Sequence, residues 1–214
     1  KRDTEIAQQQ IRLRLIENKE QLVRIAREVA TRTIDREQFV AQAASFIQER
    51  PEINALTWIG ADRRTKASYT ARGLSAFEFD PSASGEPIAE PDSARKPDAD
   101  TFEAARVQRQ PVYSGPIAGV GGAEVFQIIV PLIDRNALTG ALIVEYSIER
   151  LLRYFVPVEI TNRHSIALYD ERGRALASSV IPMPGHQARP AAIVYDLPLA
   201  PAGNGIVLRS QGFR

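Results

Sequence analysis

The chain has 214 residues, with 44% hydrophobic and 25% charged side chains, which is enough apolar material for one large or two small packed domains rather than a disordered segment. A formal net charge of +1 excludes the basic excess of a nucleic-acid binder, and the lack of cysteine excludes disulfides, thiolate metal sites and cysteine nucleophiles. No apolar run approaches the ~20 residues of a membrane span, and no signal peptide is recognisable. Residues 3–33 carry no Pro or Gly and are rich in Gln, Glu, Arg, Leu and Ala, which predicts one long helix. Two apolar stripes run along it. Ile11, Leu15, Asn18, Leu22, Ile25 and Val29 alternate by four and three; Ile6, Leu13, Ile16, Val23, Ala30 and Ile34 form the other. One packed face needs one stripe, so two predict burial on two sides. The first has the spacing of a short coiled-coil seam of ~3 heptads with a register-fixing Asn18, which predicts a homodimer through this helix. The plainer alternative is an amphipathic helix with Asn18 at its rim.

Asp35 and Gln38 make a capping box for a second helix, 36–49, with Phe39, Ala43, Phe46 and Ile47 on its core face and Arg50-Pro51 at its end. Residues 53–59 and 65–71 read as strands around a turn at Gly60–Arg64, with Trp58 in the first and Tyr69 in the second; Trp58 reads as core rather than site. Residues 77–100 contain Pro81, Pro87, Pro91 and Pro97 among small and acidic residues and read as a long loop, either a lid or a mobile insertion that proteases cut first within 80–97. A helix at 101–109 follows, capped by Asp100 and carrying Arg106 and Arg109.

Residues 111–152 read PVYSGPIAGVGGAEVFQIIVPLIDRNALTGALIVEYSIERLL. Apolar runs at 112–117, 123–133 and 140–147 are separated by Gly119, Gly121 and Gly122, then by Asp134, Asn136 and Gly140, which predicts an antiparallel meander. Ser147 caps the short helix IERLLRYF that follows. On the last strand Ile143, Glu145 and Ser147 share one face, and Leu142, Val144 and Tyr146 the other. Glu145 inside an apolar run needs a partner, a water or a ligand unless its face is open to solvent. After a boundary at 154–162, strand candidates at 164–170, 174–179, 191–197 and 205–209 and a loop at 180–190 make a small second module of strand and loop.

Catalytic signatures are missing from the sequence. His164 and His186 are the only histidines and neither has a partner at ligand spacing, so no metal site is expected and His164 reads as a strand-edge residue. There is no Gly-x-Ser-x-Gly elbow, P-loop or dinucleotide fingerprint, and Gly119-Val-Gly-Gly precedes no helix that would hold phosphate. The chain reads as a binding domain without cofactor; the rival readings are an enzyme and a purely structural interaction module.

The sequence Tyr-Ser-Gly-Pro, the glycine turn, a strand ending Val-Pro-Leu-Ile-Asp and then Gly-Ala-Leu-Ile-Val-Glu-Tyr-Ser-Ile resemble the C-terminal half of a Cache domain, the PAS-like extracytoplasmic sensor of histidine kinases and chemoreceptors. The segment TFEAARVQRQPVY before them is similar to the short pocket-side helix of that family, and the order of elements is that of double Cache sensors. The resemblance implies an α+β fold with a helical stalk over 1–50, a membrane-distal module over 51–156 and a smaller membrane-proximal module over 157–214. It implies a periplasmic fragment of a longer inner-membrane protein, with transmembrane helices at its ends. The full protein is expected to be a histidine kinase, or alternatively a chemoreceptor or diguanylate cyclase. A small solute would sit in the distal module. Tyr69, Arg72, Arg106, Tyr113, Ser114 and Glu145 are the candidate ligand-binding residues, with tyrosines as wall and hydroxyl, arginine for an anionic group and Glu145 for a cationic one. The dicarboxylate-sensing branch often carries lysine where this chain has Glu145, and a carboxylate there repels a diacid. A zwitterionic or other carboxylate-bearing solute fits the set better.

Overall fold

The computed structural model describes residues 1–71, 96–119, 122–180, 194–199 and 204–212. Most of the predicted 77–100 loop, together with Arg72 and His186, lies outside the described residues. The elements follow in the order α1 (Arg2–Ala30), α2 (Arg36–Gln48), β1 (Ile53–Gly60), β2 (Thr65–Thr70), α3 (Ala99–Gln108), β3 (Val112–Tyr113), β4 (Ile117–Ala118), β5 (Glu124–Asp134), β6 (Ala137–Ser147), α4 (Ile148–Phe155), α5 (Val158–Thr161), β7 (His164–Tyr169), β8 (Ala175–Ser178), β9 (Val194–Pro198) and β10 (Val207–Gly212). The architecture is α+β: a long N-terminal helix followed by two antiparallel sheets, one in the order β2-β1-β6-β5-β3 with β4 on β5, the other in the order β8-β7-β10-β9.

The described chain divides into two compact units that are not contiguous in sequence. The first holds residues 1–19, 113–126 and 147–214. Here α4 and α5 pack on the four-stranded sheet, and the start of α1 is fastened to the same unit. Gln8 Nε2 donates to the Pro198 carbonyl at 2.8 Å, His164 Nε2 lies 2.9 Å from Asp3 Oδ2, and the Arg14 guanidinium sits 4.9 Å from the centre of the Phe155 ring. His164 opens β7 opposite Gly212 and is engaged by a carboxylate rather than by a metal-ligand set.

The second unit holds residues 20–112 and 127–146. Asp35 Oδ1 accepts from the Gln38 N–H at 2.8 Å while Gln38 Oε1 accepts from the Asp35 N–H at 2.9 Å, the predicted capping box of α2. Asp35→Ala is expected to lower stability by about 1 kcal/mol, a melting shift of roughly 2–4 °C; an unchanged melting temperature would show that the box contributes nothing. The four predicted core residues of α2 are buried, and Phe39 meets Trp58 edge-on with ring centres 5.6 Å apart. A two-residue turn joins β5 to β6, with Arg135 and Asn136 at φ 49° and 65°, the left-handed pair that matches strand twist. Strand β6 therefore begins at Ala137, three residues before the predicted run. Gly140 pairs with Gly60, and a Cβ on it would lie 2.1 Å from the Ile59 carbonyl oxygen. Gly140→Ala must push β1 and β6 apart, and a loss of at least about 2 kcal/mol in denaturant unfolding is expected; an unchanged midpoint would contradict the close strand approach.

Two helix boundaries differ from the sequence reading for local reasons. Helix α1 stops at Ala30 rather than at residue 33, because Arg32 turns left-handed (φ 59°) and the Thr33 N–H reaches back to the Glu28 carbonyl at 2.9 Å. Helix α3 is capped by Asp98, not Asp100: Asp98 Oδ2 accepts from the Thr101 N–H and hydroxyl at 3.1 and 2.5 Å. The stripe Ile11–Val29 is buried within the chain along its whole length, Asn18 included. It is core, and the exposed members of the second stripe are Ile6 and Leu13, at 40% and 58%.

Candidate functional site

Ladder pairing assigns the two faces of β1, β2 and β6, the strands of the six-stranded sheet that lie almost wholly in the second unit, because directly opposed residues point the same way. Ala55 pairs with Thr70 and Glu145, and Thr57 with Ser68 and Ile143, so these share one face. Leu56 pairs with Tyr69 and Val144, and Trp58 with Ala67 and Leu142, on the other. Helix α3 covers the first face. Its Phe102 and Ala105 pack with Ile59, Ile129, Ala141 and Ile143 as one buried cluster, and the Arg63 guanidinium lies 4.6 Å from the centre of the Phe102 ring.

That face changes character along its length. Beyond the apolar cluster come Thr57, Asn54, Glu145 and Gln127, all buried. The Thr57 and Ser68 hydroxyls are 2.8 Å apart, and Asn54 Nδ2 donates to Glu145 Oε2 at 2.8 Å. Asn54 sits at a bulge, where the β1–β6 register slips between Ile53 and Ala55. A bulge re-aims a side chain that alternation would otherwise fix, which brings the Asn54 amide to Glu145. Gln127 follows the same alternation as Ile129. Its Oε1 accepts from the Asp98 N–H and its Nε2 donates to the Lys96 carbonyl, both at 2.9 Å, so it ties the start of α3 to the sheet. The described chain leaves this face at Ala71, whose N–H donates to the Asn54 carbonyl at 2.8 Å, and returns to it at Lys96. The arrangement places hydroxyls, amides and one carboxylate, all buried, next to an apolar floor, chemistry suited to holding a small polar molecule.

The candidate residues from the sequence are placed as follows. Glu145 is buried, at 4% exposure, so its carboxylate does not face solvent. Tyr69 is on the opposite face of the sheet from Glu145. Arg106 is on the exposed side of α3 and makes an ion pair with Glu103, which holds the Glu103 carboxyl below its ordinary range through a hydrogen bond from the guanidinium. Tyr113 and Ser114 belong to the first unit. The Tyr113 hydroxyl donates to the Leu15 carbonyl at 3.4 Å, and burial pushes its pKa up; Ser114 Oγ donates to the Gly115 carbonyl at 2.8 Å. Asn54, Thr57, Ser68 and Gln127 were not singled out from sequence. The signal was the one that flagged Glu145, a polar residue inside a strand whose neighbours are apolar.

Trp58 is half-buried on the α2 side, with the Lys66 ammonium 5.6 Å from its ring centre, and borders a separate recess of about 350 Å³ with Val29, Leu132 and Thr139. Among the described residues no group of three or more His, Asp or Glu is placed to hold a metal, and no helix is long and apolar enough to cross a membrane.

No family model matches the chain, and no curated protein matches it. Solved structures do. The chain is similar to the ligand-binding domain of the amino acid chemoreceptor PctC of Pseudomonas aeruginosa PAO1 in complex with GABA, at 13% identity and a TM-score of 0.55 over 95% of this chain and 94% of that one. It is similar to the ligand-binding domain of PctB from the same organism in complex with L-Gln, at 13% identity and a TM-score of 0.59 over 99% and 88%. A third likeness, at 12% identity and a TM-score of 0.54 over 82% and 67%, is to the extracellular domain of the histidine-kinase candidate soHK1S-Z6. The fold is that of the extracellular ligand-binding domains of chemoreceptors and histidine kinases, in line with the Cache domain whose C-terminal half residues 111–152 resemble.

Proposed function

We propose that this chain is the extracytoplasmic sensor domain of a transmembrane signalling receptor and that it binds a small polar solute on the α3-side face of its six-stranded sheet. The observation that carries the proposal is the buried polar end of that face, where Thr57, Asn54, Gln127 and Glu145 sit within otherwise apolar strands. Each of these groups has a hydrogen-bond partner within the protein, and their concentration at one end of an otherwise apolar face gives that end the polar chemistry a small solute needs. The solute is a zwitterion, its ammonium group directed to Glu145. Structural neighbours are in complex with GABA, L-Gln and L-serine, which supports this class. Arg72 is the sequence's candidate countercharge for a carboxylate and lies outside the described residues. Arg106, paired with Glu103 in solvent, is the remaining candidate of this unit, with a smaller expected effect than Glu145; Tyr69 lies on the far face, and Tyr113 and Ser114 belong to the first unit.

The receptor we infer is a two-component sensor histidine kinase, with residues 51–156 as the distal module and 157–214 as the proximal one; a chemoreceptor is the second reading, favoured by the amino-acid receptors among the neighbours. We place the domain in the periplasm, between transmembrane helices. We further propose that it dimerises weakly along α1 through the exposed Ile6 and Leu13, seven residues apart and therefore on one side of the helix. A thermal-shift screen of amino acids, amines and carboxylic acids tests the sensing function. A ligand of the native state raises the melting temperature with concentration. An interaction module would ignore all of them, and so would sink the proposal.

A further inference from the structure

The first unit has a cleft of about 440 Å³ of its own, bordered by Tyr113, Gly115, Glu171, Arg172, Asn204 and Gly205. Asn204 is 8% exposed. Its Oδ1 accepts from the Ile206 N–H at 3.2 Å, which fixes which way the amide faces. Its Nδ2 is buried and has no hydrogen-bond partner among the described residues. A buried donor left without an acceptor loses its water and gains nothing in return, so an Asn204 amide held in this orientation calls for an acceptor supplied from the cleft. A glycine keeps the wall bare. Gly205 is left-handed at φ 76°, and a Cβ there would lie 2.8 Å from Glu171 Oε1, so the Glu171 carboxylate rests over uncovered backbone. Charge at the cleft is already sorted. Asp170 accepts from the N–H groups of Arg172 and Arg174 at 2.9 and 2.8 Å and from Arg174 Nε at 3.2 Å, and Arg174 also pairs with Glu124. The backbone amide of Arg174 is the main cause that holds the Asp170 carboxyl below its ordinary range. Among the described residues that leaves one carboxylate, Glu171, and one guanidinium, Arg172, to meet a ligand.

We propose that this cleft is a second binding site, separate from the α3-side face, for a small zwitterion whose carboxylate accepts from Asn204 Nδ2 and Arg172 while its ammonium group meets Glu171. The volume lies within the range of small-molecule sites. The test follows the Asn204 side-chain amide by nitrogen-15 NMR, its resonance identified by its loss in Asn204→Leu, during titration with L-serine, L-glutamine and GABA to millimolar concentration. At least one probe is expected to shift the Asn204 amide saturably. The same shift is expected in Glu145→Gln, which keeps this site distinct from the proposed function, and at least tenfold weaker binding is expected in Arg172→Ala and Glu171→Gln. An Asn204 resonance unmoved by all three probes overturns the proposal. So does a titration unaltered by Arg172→Ala, and a response to sodium acetate equal to that of the three probes removes the zwitterion assignment.

Discussion

Replacing Leu22 by glutamate is expected to remove the folded state. Leu22 is fully buried on the stripe Ile11–Val29 of α1, and that stripe lies in the core. An ionised carboxylate placed there has lost its water and gains no partner, so it either protonates or forces the helix off its bed. Losses above about 4 kcal/mol come from this kind of change and are a large share of a total stability of roughly 5–15 kcal/mol. Circular dichroism during urea unfolding should show no native baseline, or a midpoint near zero denaturant. Leu13→Glu is the contrasting variant. Leu13 is 58% exposed, so its stability should stay within about 0.5 kcal/mol of the parent, while concentration-dependent sedimentation of the parent should disappear. A folded Leu22→Glu that merely dissociates would restore the Ile11–Val29 stripe as a seam between chains.

Phe102→Ala has the second largest expected effect. Phe102 is the side chain that seats α3 on the sheet, packed with Ile59, Ile129, Ala141 and Ile143 under the Arg63 guanidinium. Truncation of a buried phenylalanine costs about 3–5 kcal/mol through lost transfer energy and the cavity left behind. Because the Asp98 N–H, one residue before α3, is held by Gln127, a loosened helix should also loosen the polar end of the face, and ligand affinity should fall with stability. A loss under about 1 kcal/mol would show that α3 is not docked as described.

The sequence carried the elements well because their signals are local. The capping box at Asp35, the turn pair around Asn136 and the alternation of β6 each depend on a few neighbouring residues, and all appear where those residues place them. Family resemblance over 111–152 added the fold, which no propensity alone would specify. The polar end of the face was read less completely. Glu145 was legible as a polar residue in an apolar strand, but its partner Asn54 reaches it through a bulge, and a register slip has no signature in a single strand. Tyr69 was grouped with Glu145 from its place near the end of its strand; the ladder through Leu56 and Val144 instead assigns it to the other face. The two stripes of α1 were both visible, but which one is core depends on packing partners distant in sequence.

Calorimetric titration of L-serine, L-glutamine and GABA into the parent chain and into Glu145→Gln, each also carrying Arg172→Ala to silence the cleft of the first unit, tests the binding face most directly. Glutamine keeps the shape and the hydrogen-bonding capacity toward Asn54 while removing the charge. The binding reading predicts saturable binding of at least one of the three to the parent. It also predicts a loss of affinity of tenfold or more in Glu145→Gln, about 1.4 kcal/mol, with the urea midpoint little changed. Binding of equal affinity in both proteins, or no binding of any of the three to the parent, would contradict the assignment of this face to a zwitterionic solute.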